Sequence, residues 1–198
     1  MFGLLKAMIF TFSVVSGQPA TAFTAPVDFF KEEITLTVSD SQAAINGIFY
    51  FRNNTDRDRP FPIIFPFYVD SLTSYPDKIN AYTINGGDTA AINFEALAGR
   101  RAIRMAVPMK PKGVTVWYLD YTQKIDSPHA RYILTSTAAW KKPLEEATYY
   151  FVMPETFNVI SVWPEPDSTK ISGAKKILKC ERKNFMPERD MEIIWEQK

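Results

Sequence analysis

Residues 33–52, EITLTVSDSQAAINGIFYFR, decide how this chain folds. In the first half Ile34, Leu36 and Val38 alternate with Thr35, Thr37 and Ser39. Successive side chains of a strand point to opposite faces, so this period of two makes a half-buried β-strand. The second half places Ile45, Phe49 and Phe51 on one face and Ile48 and Tyr50 on the other, so that strand is expected to be covered on both sides. Two such strands set the pattern by which the rest of the chain can be read.

The same signal recurs along the sequence. RAIRMAV, VTVWYLDY, ATYYFVM, FNVISVW and MEIIWE are short runs rich in β-branched and aromatic residues. Between them lie NNTDRDRP, NGGD, PKG, DSP, PEPDST and MPERD, all turn chemistry. Asn85-Gly86-Gly87-Asp88 joins two short runs as a tight hairpin, because glycine tolerates positive φ. The 14 prolines are scattered rather than clustered, which suits sheet edges and loops. No helical period follows the first residues, and AAWKKPLEEA has room for one helical turn at most. The expectation is an all-β chain, an antiparallel β-sandwich of immunoglobulin-like or similar topology, forming a single domain over residues 23–198.

Composition narrows the function classes. The chain has 198 residues, 46% hydrophobic and 23% charged, a globular balance with a net charge of +1. No strong field is present to hold nucleic acid, and none is expected as a partner. Residues 1–22 read as a signal peptide: Lys6, the apolar run AMIFTFSVV, then Pro19 and the small-x-small pattern Ala20-Thr21-Ala22. A native N-terminal helix is the competing reading. Cleavage would remove Lys6 and leave the mature chain neutral, with no membrane span. The single cysteine, Cys180, excludes an intramolecular disulfide and a thiolate metal site. A disulfide-free exported protein fits a bacterial periplasmic or extracellular setting.

Reactive constellations are scarce. His129, in DSPHARY, is the only histidine, so any serine or cysteine triad would have to use it. The carboxylate pairs Glu145-Glu146, Asp56-Asp58 and Glu165-Asp167 sit in turns beside basic residues or prolines, where solvated charge is ordinary. NNTDRD offers Asn54, Asp56 and Asp58 as the start of a calcium loop but lacks the glycine and distant glutamate such a loop needs. Asn53-Asn54-Thr55 fits the glycosylation pattern, whose physical content is a polar, exposed loop. KISGAKKILKCERK carries no interleaved aromatic residue and reads as a lysine-protected edge strand. No catalytic residue, metal ligand or cofactor is assigned.

What remains is aromatic surface. Trp140 follows Thr137-Ala138-Ala139 in a connection, and is expected to plug the core between the sheets with its indole N–H bonded to a loop carbonyl. Trp140, Tyr149 and Trp163 are the candidate binding residues. The favoured reading is a non-enzymatic protein-interaction module with a protein partner in the cell envelope. A carbohydrate-binding domain using exposed aromatics is the alternative, and a hydrolase is the third reading.

The stretches FYFRNNTDRDRPFPIIFPF and YILTSTAAWKKPLEEATYYF carry a resemblance. Asn53 to Asp56, Phe65-Pro66, Tyr132 to Ser136 and Trp140 to Pro143 resemble the pattern of a bacterial exported family known only as a domain of unknown function, over about residues 32–163. The N-x-T-D and F-P elements also bear a looser likeness to the N-terminal domain of inter-alpha-trypsin inhibitor heavy chains. Neither resemblance implies a catalytic residue.

Overall fold

A computed structural model describes residues 25–97, 99 and 101–197. The signal-peptide reading of residues 1–22 lies outside the described residues. Strands dominate: β1 (Val27–Val38), β2 (Gln42–Asn53), β3 (Phe61–Pro66), β4 (Asp77–Asn85), β5 (Asp88–Ala91), β6 (Phe94–Leu97), β7 (Ala102–Val107), β8 (Val114–Lys124), β9 (His129–Tyr132), β10 (Leu144–Pro154), β11 (Phe157–Trp163), β12 (Ser168–Ser172), β13 (Lys175–Phe185) and β14 (Met191–Gln197). A short 3-10 helix spans Thr135–Trp140. No helix among the described residues is long and apolar enough to cross a membrane.

The chain is all-β, as its alternation requires, and its sheets pack against one another. One sheet has eight strands in the order β12-β13-β10-β1-β2-β8-β4-β5. Two three-stranded sheets, β11-β14-β9 and β3-β7-β6, contribute to the same core. The arrangement is not specifically that of an immunoglobulin sandwich. It also departs from pure antiparallel pairing, because β1 and β10 run parallel from Lys31↔Glu146 to Thr37↔Val152. A parallel neighbour requires a long crossover, and here it is the whole of β2 to β9.

The core is the shared inner face. Ile34, Leu36, Ile45, Phe49, Phe51, Trp117, Leu119, Tyr121, Tyr149 and Phe151 are buried on the large sheet. They meet Phe65 of β3, whose ring lies 5.7 Å from Phe49 and 6.2 Å from Tyr132 of β9. The outer face of β2 is only half-buried at Ile48 and Tyr50, so the expected second cover is absent there. At Gly47 the close approach is on the inner face: a Cβ would come 2.5 Å from Phe49 Cζ. Only glycine leaves that ring its place. The expected Asn85–Asp88 hairpin is present, with Gly86 and Gly87 at φ 58° and 107°.

A bulge in β1 has a larger effect than its size suggests. Phe29 pairs Phe51 and Lys31 pairs Tyr50, which leaves Phe30 without an opposite residue. The extra residue lets Phe29 and Glu32, three apart, both face inward. Glu32, in phase with Ile34 and Leu36, is buried at 2% exposure among apolar side chains.

Two smaller expectations change. Asn53 is buried rather than exposed: its amide donates to the Arg57 and Lys110 carbonyls at 2.9 and 3.0 Å. Its Oδ1 accepts from the Thr55 N–H at 2.9 Å and the Thr55 hydroxyl at 2.8 Å, so NNT is a loop clamp. The lysine-rich segment forms the β12–β13 hairpin at one edge of the large sheet, turning at Gly173.

Candidate ligand cavity

A cavity of about 580 Å³ opens between β1–β2–β8, β3 and the connection from β9 to β10. Its depth is formed by Glu32, Phe49, Trp117 and Tyr132, all buried. Phe29, Phe51, Phe61 and Phe65 line it further out, and Trp140 closes one side. The rim includes Ile64, 56% exposed, with the exposed Ser136 and Ala139.

Local sequence explains each position. Phe49 and Trp117 are direct partners across β2 and β8, and their rings stack with centroids 4.3 Å apart. Phe29 and Phe51 pair across β1 and β2 and stack at 4.8 Å. The 3-10 helix carrying Trp140 is anchored at its start by Asp190, whose Oδ1 accepts from the Leu134 and Thr135 N–H groups at 3.2 and 3.1 Å and from the Thr135 hydroxyl at 2.8 Å. It stops at Lys141, in left-handed conformation at φ 56°, two residues before Pro143. That stop fixes where Trp140 projects.

Trp140 is both less and more than a plug. Its ring contacts Phe29, Phe51 and Phe61 at centroid distances of 5.8, 5.2 and 5.7 Å, yet it stays half-exposed as a cavity wall. The expected bond from its indole N–H to a loop carbonyl is not formed among the described residues. Tyr149 lies outside the cavity lining. It is fully buried, because its position in β10 belongs to the inner face, and its hydroxyl donates to Glu32 Oε1 at 2.7 Å. Trp163 is remote from the cavity, half-buried between Phe185 at 6.2 Å and the Arg189 guanidinium at 5.7 Å. The three candidate binding residues are thus not one site; only Trp140 lines the cavity.

The residue that sequence reasoning missed is Glu32. Its signal was present: Ile34, Leu36 and Val38 define the inward face, and one step back along that period is Glu32. Burial raises its carboxyl from 4.5 to about 7, against the lowering pull of the Tyr149 hydrogen bond. Tyr149 supplies its one hydrogen bond among the described residues, and no basic side chain pairs with it there. The neighbouring cations are engaged elsewhere. Lys31 pairs Glu33 and Glu146. Arg52 and Lys142 converge on Asp28, at 3.1 and 2.6 Å, and on Glu145. Tyr132, at the same depth, is pushed well above its ordinary value by burial, then by the nearby Glu32 charge.

His129 does have a carboxylate partner, with Nε2 2.8 Å from Glu192 Oε1. It does not line the cavity. Burial pushes the Glu192 carboxyl up, but hydrogen bonds from Arg131 and His129 outweigh this and hold it below its ordinary value. The pair belongs to a surface cluster with Arg131 and Arg189. Among the described residues no group of three His, Cys, Asp or Glu side chains could hold a metal ion. Cys180 is buried against the Pro164 carbonyl at 3.2 Å, and burial pushes its thiol up to about 12, far from a reactive thiolate.

No known family model and no curated protein match the sequence. Solved structures share the fold. A "putative nutrient binding protein" from Legionella pneumophila subsp. pneumophila str. Philadelphia 1 superposes with a TM-score of 0.65 at 13% identity, over 86% of this chain and 67% of that one. The M1 zinc metallopeptidase from Deinococcus radiodurans gives 0.51 at 10% identity, over 85% of this chain and 42% of the peptidase. The chain therefore spans less than half of that peptidase, and at these identities the likeness is one of fold.

Proposed function

We propose that this protein is a non-enzymatic binding module that takes the apolar part of its ligand into the cavity beside Trp140. The observation that carries the reading is the cavity itself: about 580 Å³, walled by stacked aromatic rings and holding one buried carboxyl group. Ligand sites are concave and mostly apolar, with a few placed polar groups, in the range of ~300–1,000 Å³. The expected modes of partner recognition have less support. The large sheet ends in β5 and β12, only 4 and 5 residues long, short templates for adding a partner's strand. For sugar stacking, Phe94 is the one aromatic ring among the large exposed apolar side chains of the described residues. Tyr82 and Tyr118 stack on each other at 4.7 Å and remain half-buried. The nutrient-binding name of the Legionella protein agrees in class with a ligand-binding role. An extracytoplasmic setting is part of the proposal and rests on the apolar run and small-x-small pattern of residues 7–22.

The test is binding of N-phenyl-1-naphthylamine, a neutral apolar fluorophore. Its emission should rise with the native protein and saturate. Ala139→Trp, at the exposed rim, should block the rise without lowering the denaturation midpoint. A signal that Ala139→Trp leaves unchanged, or no binding at all, would refute the reading.

A further inference from the structure

Apart from Ser136 and Thr137 the cavity is lined by apolar side chains except at its depth, and there it holds an acid that no cation among the described residues meets. Isolated buried carboxylates are costly, and proteins normally pair them. Around Glu32 the facing titratable groups are Tyr149 of β10 and Tyr132 of β9, with Tyr121 behind Tyr132 and Cys180 of β13 behind Tyr149. All are acids or neutral donors, and none supplies positive charge. Aromatic faces attract cations through their negative π surfaces, and here Phe49, Trp117, Tyr132 and Trp140 line the same space.

We propose that the cavity recognises an organic ammonium: an apolar, aryl- or alkyl-bearing amine whose charged head meets the Glu32 carboxylate while its body lies against Phe49, Trp117 and Trp140. The inference rests on the cavity being a ligand site and adds the chemistry of the ligand. The ammonium donates to the Glu32 oxygen that Tyr149 leaves free, and Tyr149 holds the carboxyl in position without contacting the ligand. Tyr132 offers its hydroxyl at the same depth. A neutral ligand of the same shape would leave the acid without a countercharge, and an anion would be repelled. Because Glu32 gives up its proton near pH 7, the ammonium binds well above that pH and weakly below it.

Calorimetry with 3,3-diphenylpropylamine, its neutral counterpart 3,3-diphenylpropan-1-ol and the anion 3,3-diphenylpropanoate tests this on the full chain. The amine should bind roughly 30-fold more tightly at pH 8.5 than at pH 5.5, since at 5.5 Glu32 is ionised in only about one molecule in 30. The alcohol should show no such dependence, and the propanoate should bind most weakly at pH 8.5. Glu32→Gln should abolish the pH dependence of the amine. Equal binding of amine and alcohol at pH 8.5, or tighter binding of the propanoate, overturns the ammonium assignment while leaving the cavity a ligand site. Failure of all three compounds together with the neutral fluorophore overturns the ligand site itself. Should Glu32→Gln not fold, the pH dependence of the native protein for amine against alcohol decides alone.

Discussion

Replacing Glu32 by glutamine should stabilise the protein above neutral pH and do little in acid. The folded chain holds the Glu32 proton to about pH 7, whereas the unfolded chain releases it near the ordinary 4.5. Below 4.5 both states are protonated, and the group contributes nothing to the pH dependence. Between the two values the folded state keeps a proton that the unfolded state has lost, so stability falls as pH rises. Above 7 the folded protein carries a desolvated carboxylate. A tenfold change in proton affinity is about 1.4 kcal/mol, so the full rise amounts to about 3 kcal/mol. That is a large share of the ~5–15 kcal/mol by which domains are stable. Glutamine keeps the shape and an oxygen for the Tyr149 hydroxyl but never ionises. Urea denaturation of both proteins at pH 4.5 and 8.5 measures the effect. The gap between variant and native should widen by about 3 kcal/mol across that interval. The comparison cancels every other titrating group, so a gap of equal size at both pH values would refute the burial of an ionisable Glu32.

Three further outcomes follow from the same packing. Tyr149→Phe removes the donor to Glu32 and should cost about 1–3 kcal/mol, more at pH 8.5 than at pH 4.5, as read from the urea midpoints. Trp140→Ala removes a ring that contacts three phenylalanines but remains half-exposed, so a loss of roughly 2 kcal/mol is expected, below the ~3–5 of a fully buried tryptophan. Gly47→Ala drives a methyl group into Phe49 and should cost about 1–3 kcal/mol in thermal unfolding, with a changed near-ultraviolet signal from the stacked Trp117.

The candidate site was partly legible. Trp140 drew notice as a large aromatic in a connection, and it does line the cavity. Tyr149 and Trp163 belong to the strand runs ATYYFVM and FNVISVW, and aromatic character does not say which face a strand residue takes. Tyr149 was assigned by the β10 register to the interior, and Trp163 by β11 to a different sheet. Glu32 went unnoticed because charged residues are read as solvated by default, although its spacing from Ile34 placed it inward.

What the sequence determined by itself is what depends on neighbours along the chain. Alternation at 33–52 set the strands and their inward faces, Asn85-Gly86-Gly87-Asp88 set a hairpin, and Pro143 set an end to the Trp140 connection. These are local, since a strand's period and a turn's φ are fixed within a few residues. Tertiary structure alone decided which strands became neighbours. The parallel seam of β1 and β10 joins Glu32 to Ala147 across the fold and brings Tyr149 to the Glu32 carboxyl. The bulge at Phe30 then turned Phe29 and Glu32 to the same side. Pairing across so long a loop is selected by the burial of whole faces at once, a collective energy that no short stretch of sequence contains.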